Sequence, residues 1–365
     1  MCRTYRTIGS LTALKSHLEE SNIREFKSLK EVISFRGAYP TLRQQLIAEH
    51  EELIEQEKSI LNAHLPQLDL TIETKKHQEE QRLTNEIAQL KQQLTHLTYG
   101  DSTNLFQRLQ KNLKQWIYKR QVFEKERNFD KKVAKSISEL VELSKAKKHR
   151  LQFITSQFDT AVEESARSSL WEIDRKKSVI EEASNLIYGA LGEQMVVKTL
   201  EALPDEYFLI NDFAVSFSPA IYDRQENDYI KSVQIDHLLV ARSGIFLIET
   251  KNWSDKSIAN LGLRSPVEQI KRTSFVLFKL LNNEISNHHL GLDKHHWGEK
   301  RISIKSLIVL TNTKPKEEFQ YVKVLSVGEL LGYVKYFKPI FTGVETQRIA
   351  EFLLRIADEK TIETK

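Results

Sequence analysis

Apolar residues recur at helical spacing through much of the first half of the chain. Leu83, Ile87, Leu90, Leu94 and Leu97 follow one another at alternating steps of four and three, the seam of a coiled coil. A second seam runs through Val133, Ile137 and Leu140, then Leu151, Ile154, Phe158 and Ala161 or Val162, and on to Leu170, Ile173 and Ile180. Ser144 and Lys147 fall on seam positions between these blocks, so the second seam is imperfect. Breakers are scarce here: no proline lies between Pro66 and Pro204, and no glycine between Gly100 and Gly189. Tyr99-Gly100-Asp101-Ser102-Thr103 reads as a helix stop followed by a new N-cap. The pattern predicts a long all-α coiled-coil arm over residues 41–182, paired either as a hairpin within the chain or between chains. Trp116, Tyr118, Phe123 and Phe129 are too bulky for a regular seam and would mark where the second helix meets another part of the protein. Ahead of Pro40, Leu11 to Leu18 and Phe26 to Phe35 suggest two short helices in a separate segment, residues 1–40, with no legible function.

From about Ala183 the pattern changes. Ser184 to Leu203 reads as one helix stopped by Pro204, and one helix could run straight through the boundary near Glu182. Short apolar runs bounded by turn signals follow at Tyr207 to Ile210, Val233 to Val240, Ile245 to Lys251 and Ile304 to Leu310. Helical patterns lie between or after them, at Val267 to Leu281, Val327 to Tyr336 and Glu345 to Ala357. Residues 183–365 are therefore expected to form an α/β domain with a mixed central sheet.

Composition changes this picture little. The chain has 365 residues, 28% of them charged and 40% hydrophobic, which allows two or three domains with real cores. The net charge of +4 is compatible with nucleic acid as a partner without arguing for it alone. Cys2 is the single cysteine, so no internal disulfide can form, and a reducing compartment, the cytoplasm, is expected. The polar start MCRTYRTIGS lacks the apolar core of a secretion signal, and no apolar stretch is long enough to span a membrane.

The chemistry-bearing segment is Gln234-Ile235-Asp236-His237-Leu238-Leu239-Val240, the turn Ala241-Arg242-Ser243-Gly244, and Ile245-Phe246-Leu247-Ile248-Glu249-Thr250-Lys251. Two strand-like runs joined by a short turn make a β-hairpin. Counting back from a turn centred on Arg242 and Ser243 sets Asp236 almost opposite Glu249, and alternation puts Glu249 and Lys251 on one face. Two carboxylates and one ammonium then converge at the end of an otherwise apolar hairpin. Such charges lose hydration and the acids repel, unless a divalent cation sits between them. Asp236, Glu249 and the Thr250 carbonyl suit Mg²⁺ or Mn²⁺, and Lys251 would orient the nucleophile or stabilise the developing oxyanion. An acid-x-lysine triplet alone is common and usually a solvated surface pair. The aligned aspartate across the turn separates this one.

These segments resemble, in order, the nuclease-related domain (NERD) group of the PD-(D/E)xK nuclease superfamily. Gly189-Ala190-Leu191-Gly192-Glu193 is similar to that family's GxxGE helix, Asn211-Asp212 to its polar pair, Gln234-Ile235-Asp236-His237 to its QIDH strand, and Ile248-Glu249-Thr250-Lys251-Asn252-Trp253 to its IETKNW strand end. Ser265-Pro266-Val267-Glu268-Gln269 and Leu307-Ile308-Val309-Leu310-Thr311 resemble a later helix start and core strand. The resemblance covers the last half of the chain and leaves out the helical arm. It implies a restriction-endonuclease-like fold, with Asp236 and Glu249 as metal ligands and Lys251 as the catalytic lysine. It further implies Glu193 as an acid reaching the site and the metal from its helix, and Gln269 as a polar group at a helix start. One departure is the missing glycine soon after Trp253, where Ser254-Asp255-Lys256-Ser257 stands instead.

Other signals have blander readings. Gly189 and Gly192 mark close approach of a helix to a sheet or a phosphate, or simple tight packing. His288-His289 and His295-His296 with Asp293 could bind Zn²⁺ or belong to a loop touching nucleic acid with Lys294, Lys300 and Arg301. The basic runs Lys131-Lys132, Lys145 to Arg150 and Arg175-Lys176-Lys177 are a solvated coiled-coil face or a stripe along DNA. The expectation is a Mg²⁺- or Mn²⁺-dependent nuclease acting on nucleic acid, DNA first, that self-associates through its arm. The alternative is a nucleic-acid-binding or coiled-coil scaffold that keeps a nuclease-like fold without turnover.

Overall fold

The structure, a computed structural model, describes residues 1–99, 105–252, 264–286, 290–292, 294–295, 298–299, 301–312 and 319–363. In chain order its elements are β1 (Arg3–Tyr5), α1 (Gly9–Glu20), α2 (Leu29–Tyr99), α3 (Leu105–Arg127), α4 (Phe129–Ser156), α5 (Phe158–Glu182) and α6 (Ser184–Glu201). Then follow β2 (Phe208–Asp223), β3 (Asp228–Ala241), β4 (Gly244–Lys251), α7 (Arg264–Ser286), β5 (Lys294–His295), β6 (Gly298–Glu299), β7 (Ile304–Leu310), β8 (Val322–Ser326), α8 (Val327–Tyr336), α9 (Gly343–Glu359) and β9 (Thr361–Glu363). Contacts divide the chain into two units, Met1–Gly37 with Arg175–Lys365, and Ala38–Asp174.

The unit Ala38–Asp174 is an antiparallel helical hairpin closed within the chain. As residue numbers rise along α2, those of its partners fall. Tyr39 donates to Asp174 at 2.6 Å, His50 and Ser165 meet at 2.8 Å, Arg150 binds Glu57 through two bonds of 2.9 and 2.8 Å, and Lys125 binds Glu86. Of the two pairings open from the sequence, the seams adopt the one within the chain: Leu83 and Ile87 of the first seam are buried, as are Val133, Ile154 and Ala161 of the second. Ser144, the polar break in the second seam, is buried and donates across the hairpin to Asp69 at 2.9 Å. Pro40 and Pro66 both lie inside α2 on exposed positions. Each removes one ladder hydrogen bond, and packing against the partner helices offsets that loss.

The sequence reading set residues 1–40 apart, whereas Met1–Gly37 group with the C-terminal part. The cause is a shared core: Ile8, Leu14, Leu18, Ile23, Leu29 and Val32 bury themselves against Ile180, Ile187 and Ala190. The second of the two expected short helices is the start of α2. At Ala183 the helix is interrupted (φ −84°, ψ 10°), so α5 and α6 are separate helices.

The C-terminal part holds a mixed sheet of order β1-β2-β3-β4-β7-β8, with β9 also on β2. The β2-β3-β4 portion is antiparallel, while β7 and β8 continue from β4 in parallel. β1 and β9 pair in parallel with the outer edge of β2, at its start (Phe208–Ile210) and near its middle (Ser216–Ser218). Helices cover both faces. Val267, Ile270 and Leu277 of α7 and Ile349 and Leu353 of α9 pack on Ile210, Leu238 and Leu247. Val196 and Leu200 of α6 and Leu330 and Val334 of α8 pack on Leu209, Leu239, Phe246 and Ile248. Among the described residues no helix is long and apolar enough to cross a membrane.

Candidate active site

The β3–β4 hairpin has the register expected from its turn. Ala241 pairs with Gly244 across Arg242 and Ser243, and the ladder runs down to His237 opposite Ile248. Gly244 (φ 122°) is needed there, because a Cβ would collide with the Ser303 carbonyl. Beyond His237 the ladder stops. The next inward donor on β4, the Thr250 N–H, is taken by the Asp236 carboxylate at 2.7 Å. Asp236 thus holds the strands at a fork, opposite Glu249.

The neighbouring strand is adjusted at the same level. Ile210 and Phe213 reach one core although three residues apart, and so do Ile235 and Leu238. Strict alternation would send each pair to opposite faces, so both strands skip a step here. Asp212, with φ 48°, takes up the change on β2.

Glu249 and Lys251 share a face, and the Lys251 ammonium donates to Glu249 Oε1 at 2.7 Å. Glu249 is only 2% exposed, and its other oxygen, Oε2, is buried with no hydrogen-bond partner among the described residues. Burial, with Glu249 and then Glu193 nearby, holds the Asp236 carboxyl well above the usual carboxylate range. Burial pulls the Lys251 ammonium down, but Glu249 and Asp236 outweigh it, so Lys251 lies above the ordinary lysine value. An excess of buried acid over base with an orphaned carboxylate oxygen is the donor set a hard divalent cation satisfies. Asp236 and Glu249 therefore fit such an ion. The Thr250 hydroxyl is likewise buried without a partner among the described residues.

Glu193 is buried on α6, and its carboxylate is engaged elsewhere. Ser10 donates to it through its hydroxyl and, at 3.5 Å, through its main-chain N–H at the start of α1. That helix has no side-chain cap of its own, so Glu193 supplies the missing acceptor and suits the positive helix end. Burial raises the Glu193 carboxyl, against the Ser10 bonds that lower it. Among the described residues no three His, Cys, Asp or Glu side chains gather as a metal cage. The structure therefore brings Asp236, Glu249 and Lys251 together and leaves Glu193 beside them, tied to α1. Gln269 is exposed and donates to the Gln234 carbonyl at 3.3 Å, so it braces the strand that carries Asp236.

The glycines of α6 explain how that helix comes so near. A Cβ on Gly192 would lie 3.2 Å from Asn252 and 3.3 Å from Thr250, and one on Gly189 only 2.7 Å from Ser10 Oγ. Both are packing glycines, one against the β4 end and one against α1. Asn211 is buried, meets His237 Nδ1 at 2.8 Å and donates to the Arg6 carbonyl at 3.1 Å. Burial pushes His237 down to about 3, so the imidazole is neutral. Ser10 and Arg6 were missed from the sequence, since nothing local connects them to residues so distant in the chain. Trp253 with Ser254–Ser257, and His288, His289, Asp293 and His296, lie outside the described residues, as does the expected stop at Gly100–Thr103.

Residues 188–311 match the family model NERD, the nuclease-related domain. This segment of the chain is similar to that family. The NERD segment runs from the end of α6's first turn to the residue after β7, so it contains Glu193, Asp236, Glu249, Lys251 and Gln269. It excludes α1 and Ser10, although they close one side of the same site. No curated relative and no solved structure matches the chain.

Proposed function

We propose that the NERD segment is a metal-dependent nuclease that hydrolyses phosphodiester bonds, in DNA first, on a restriction-endonuclease-like fold of the PD-(D/E)xK kind. The observation that carries this reading is the buried, unpartnered Glu249 Oε2 across the fork from Asp236, with Lys251 on the same face. Asp236 and Glu249 would hold Mg²⁺ or Mn²⁺, with the Thr250 carbonyl as a further oxygen ligand. Such an ion, when bound, supplies a more acidic water and neutralises charge on a phosphate. Lys251, oriented by Glu249, would align the attacking water and face the negative charge that develops on the phosphoryl oxygens. Glu193 would act beside the metal through water or through the position of α1. The same proposal takes the cytoplasm as its setting, since the lone cysteine forms no internal disulfide.

A second reading, a nucleic-acid-binding or scaffold protein without turnover, draws on one observation: the Glu193 carboxylate is engaged by Ser10. The test is purified full-length protein with Mg²⁺ or Mn²⁺ against linear, circular and single-stranded DNA and RNA, with Lys251→Ala as control. Metal-dependent cleavage lost in that variant supports the enzyme. Equal cleavage by both proteins would sink it, and binding without cleavage would favour the scaffold.

A further inference from the structure

Helix α3 carries two heptad stripes, and the hairpin buries the more polar one. The stripe toward α2 consists of Lys111, Gln115, Tyr118, Val122 and Lys125, all buried or half-buried. Its polar members are bonded to α2: Lys111 donates to the Thr98 carbonyl at 3.4 Å, Gln115 to the Leu97 carbonyl at 3.1 Å, and Lys125 to Glu86. The outward stripe is Phe106, Leu109, Leu113, Trp116, Arg120 and Phe123, at alternating steps of three and four. Phe106 and Leu109 are each 69% exposed, Leu113 60%, Trp116 58% and Phe123 63%, and Ile117 beside them 38%. A helix whose apolar stripe faces away from its own hairpin is arranged for a second partner.

The spacing limits what that partner is. Alternating three- and four-residue steps make the seam of a coiled coil, which another helix of the same period fills. We propose that this stripe pairs with the same stripe of a second copy of the chain, as an isologous two-fold interface. Three further observations agree. Arg120, the one charged position in the stripe, lies over the Trp116 ring at 5.6 Å and pairs with Glu124 at 3.0 Å, so its charge is already compensated on its own helix. In a parallel, in-register pair the flanking Lys119 of one copy falls opposite Glu124 of the other, the g-to-e′ arrangement that selects partners. The exposed apolar side chains offer on the order of 600 Å² per copy. Flanking polar residues bring this near the roughly 800 Å² per partner of a stable interface. With Trp116 and Phe123 too bulky for a regular leucine seam, this is an aromatic-rich stripe, unlike the leucine-rich seams evident in the sequence, which pack within the hairpin.

The test is the oligomeric state of the full-length chain by sedimentation over a range of concentrations, beside Leu113→Glu/Trp116→Glu. Both positions are exposed, so the variant should keep its helix content and melting temperature. The wild-type chain should be dimeric. The variant should be monomeric or dissociate about 30-fold more readily, the scale of losing an aromatic anchor from an interface centre. Leu113→Cys should crosslink to itself under oxidation if the pair is parallel, since Cys2 is buried and does not compete. A monomeric wild type would overturn the proposal. Capture of that monomer by anionic vesicles or single-stranded DNA through the stripe would reassign the surface. An oligomer unchanged by the double substitution would overturn it as well, by showing that another surface holds the copies.

Discussion

The Asp236 carboxylate accepts the Thr250 main-chain N–H at 2.7 Å, just past the last main-chain pair of the β3–β4 ladder. One side chain thereby does two things: it satisfies a backbone donor at the fork and brings a second carboxyl beside Glu249. Asparagine keeps a carbonyl acceptor for Thr250 but loses the negative charge. Asp236→Asn should therefore preserve the fold, with a melting temperature close to wild type, while metal-dependent cleavage falls by ~100-fold or more. Asp236→Ala should lose cleavage and stability together, about 1–3 kcal/mol for the unpaired N–H. Cleavage rates and thermal melts of the two variants check this. Substantial cleavage by Asp236→Asn would remove Asp236 from the chemistry.

Lys251 and the proposed metal ion would share one carboxylate, since the ammonium binds Glu249 Oε1 at 2.7 Å. Removing the lysine takes away the group proposed to orient the nucleophile and frees that oxygen. Lys251→Ala should cut turnover by ~100-fold or more yet bind Mn²⁺ at least as tightly as wild type. Titration calorimetry or the electron paramagnetic resonance of free Mn²⁺ reads the binding. A variant that loses Mn²⁺ affinity and turnover together would make Lys251 a structural part of the metal site rather than a catalytic one.

Much of this geometry is legible in the sequence because it is local. The two-residue turn fixes the hairpin register, and alternation along β4 then sets Glu249 and Lys251 on one face and Asp236 opposite. The helices α6, α8 and α9 and the strand β7 announce themselves by periodicity. What escapes is what depends on distant pairing. β1 and β9 are too short to carry a pattern and exist only as partners of β2. The skipped step at Asp212 and Asp236 needs the two cores to be seen. Pro40 reads as a boundary because propensity counts the lost hydrogen bond and not the packing that offsets it. Ser10 illustrates the limit: its partner Glu193 is a long way off in the chain, and only the docking of α1 brings them together.

That docking makes a prediction of its own. The Ser10 hydroxyl is a donor to a buried carboxylate, the kind of bond worth about 1.5–3 kcal/mol. Ser10→Ala should destabilise the protein on that scale, measured by denaturant unfolding. The loss should largely disappear in a Glu193→Gln background, because the charge that the hydroxyl serves is gone. Gly189→Ala should mimic the defect, since its Cβ would lie 2.7 Å from Ser10 Oγ. Additive effects of Ser10→Ala and Glu193→Gln would show that the two side chains do not act as a pair.

The crowded acids should also tie metal stabilisation to pH. Burial and then Glu249 raise the Asp236 carboxyl well above its ordinary value, and burial raises Glu193. An acid raised in the folded state stabilises the fold while it stays protonated, fully below the unfolded value of about 4. That stability is lost as pH rises through the folded value, so these two groups weaken the metal-free protein as pH rises. His237 acts in the opposite sense. Its folded value is pushed down to about 3 by burial, so its contribution is present above the unfolded value of about 6.5 and is lost as pH falls. Comparing melts with and without Mn²⁺ at each pH cancels the His237 share, because that ring bonds Asn211 in both cases. Mn²⁺ would bind the ionised acids, so its stabilisation should grow as pH rises above the ordinary carboxylate range, approaching ~2.7 kcal/mol at a hundredfold excess over its dissociation constant. Asp236→Asn should flatten that rise. A Mn²⁺ effect that is constant with pH, or larger at the acid end, would mean that the ion binds somewhere other than between Asp236 and Glu249.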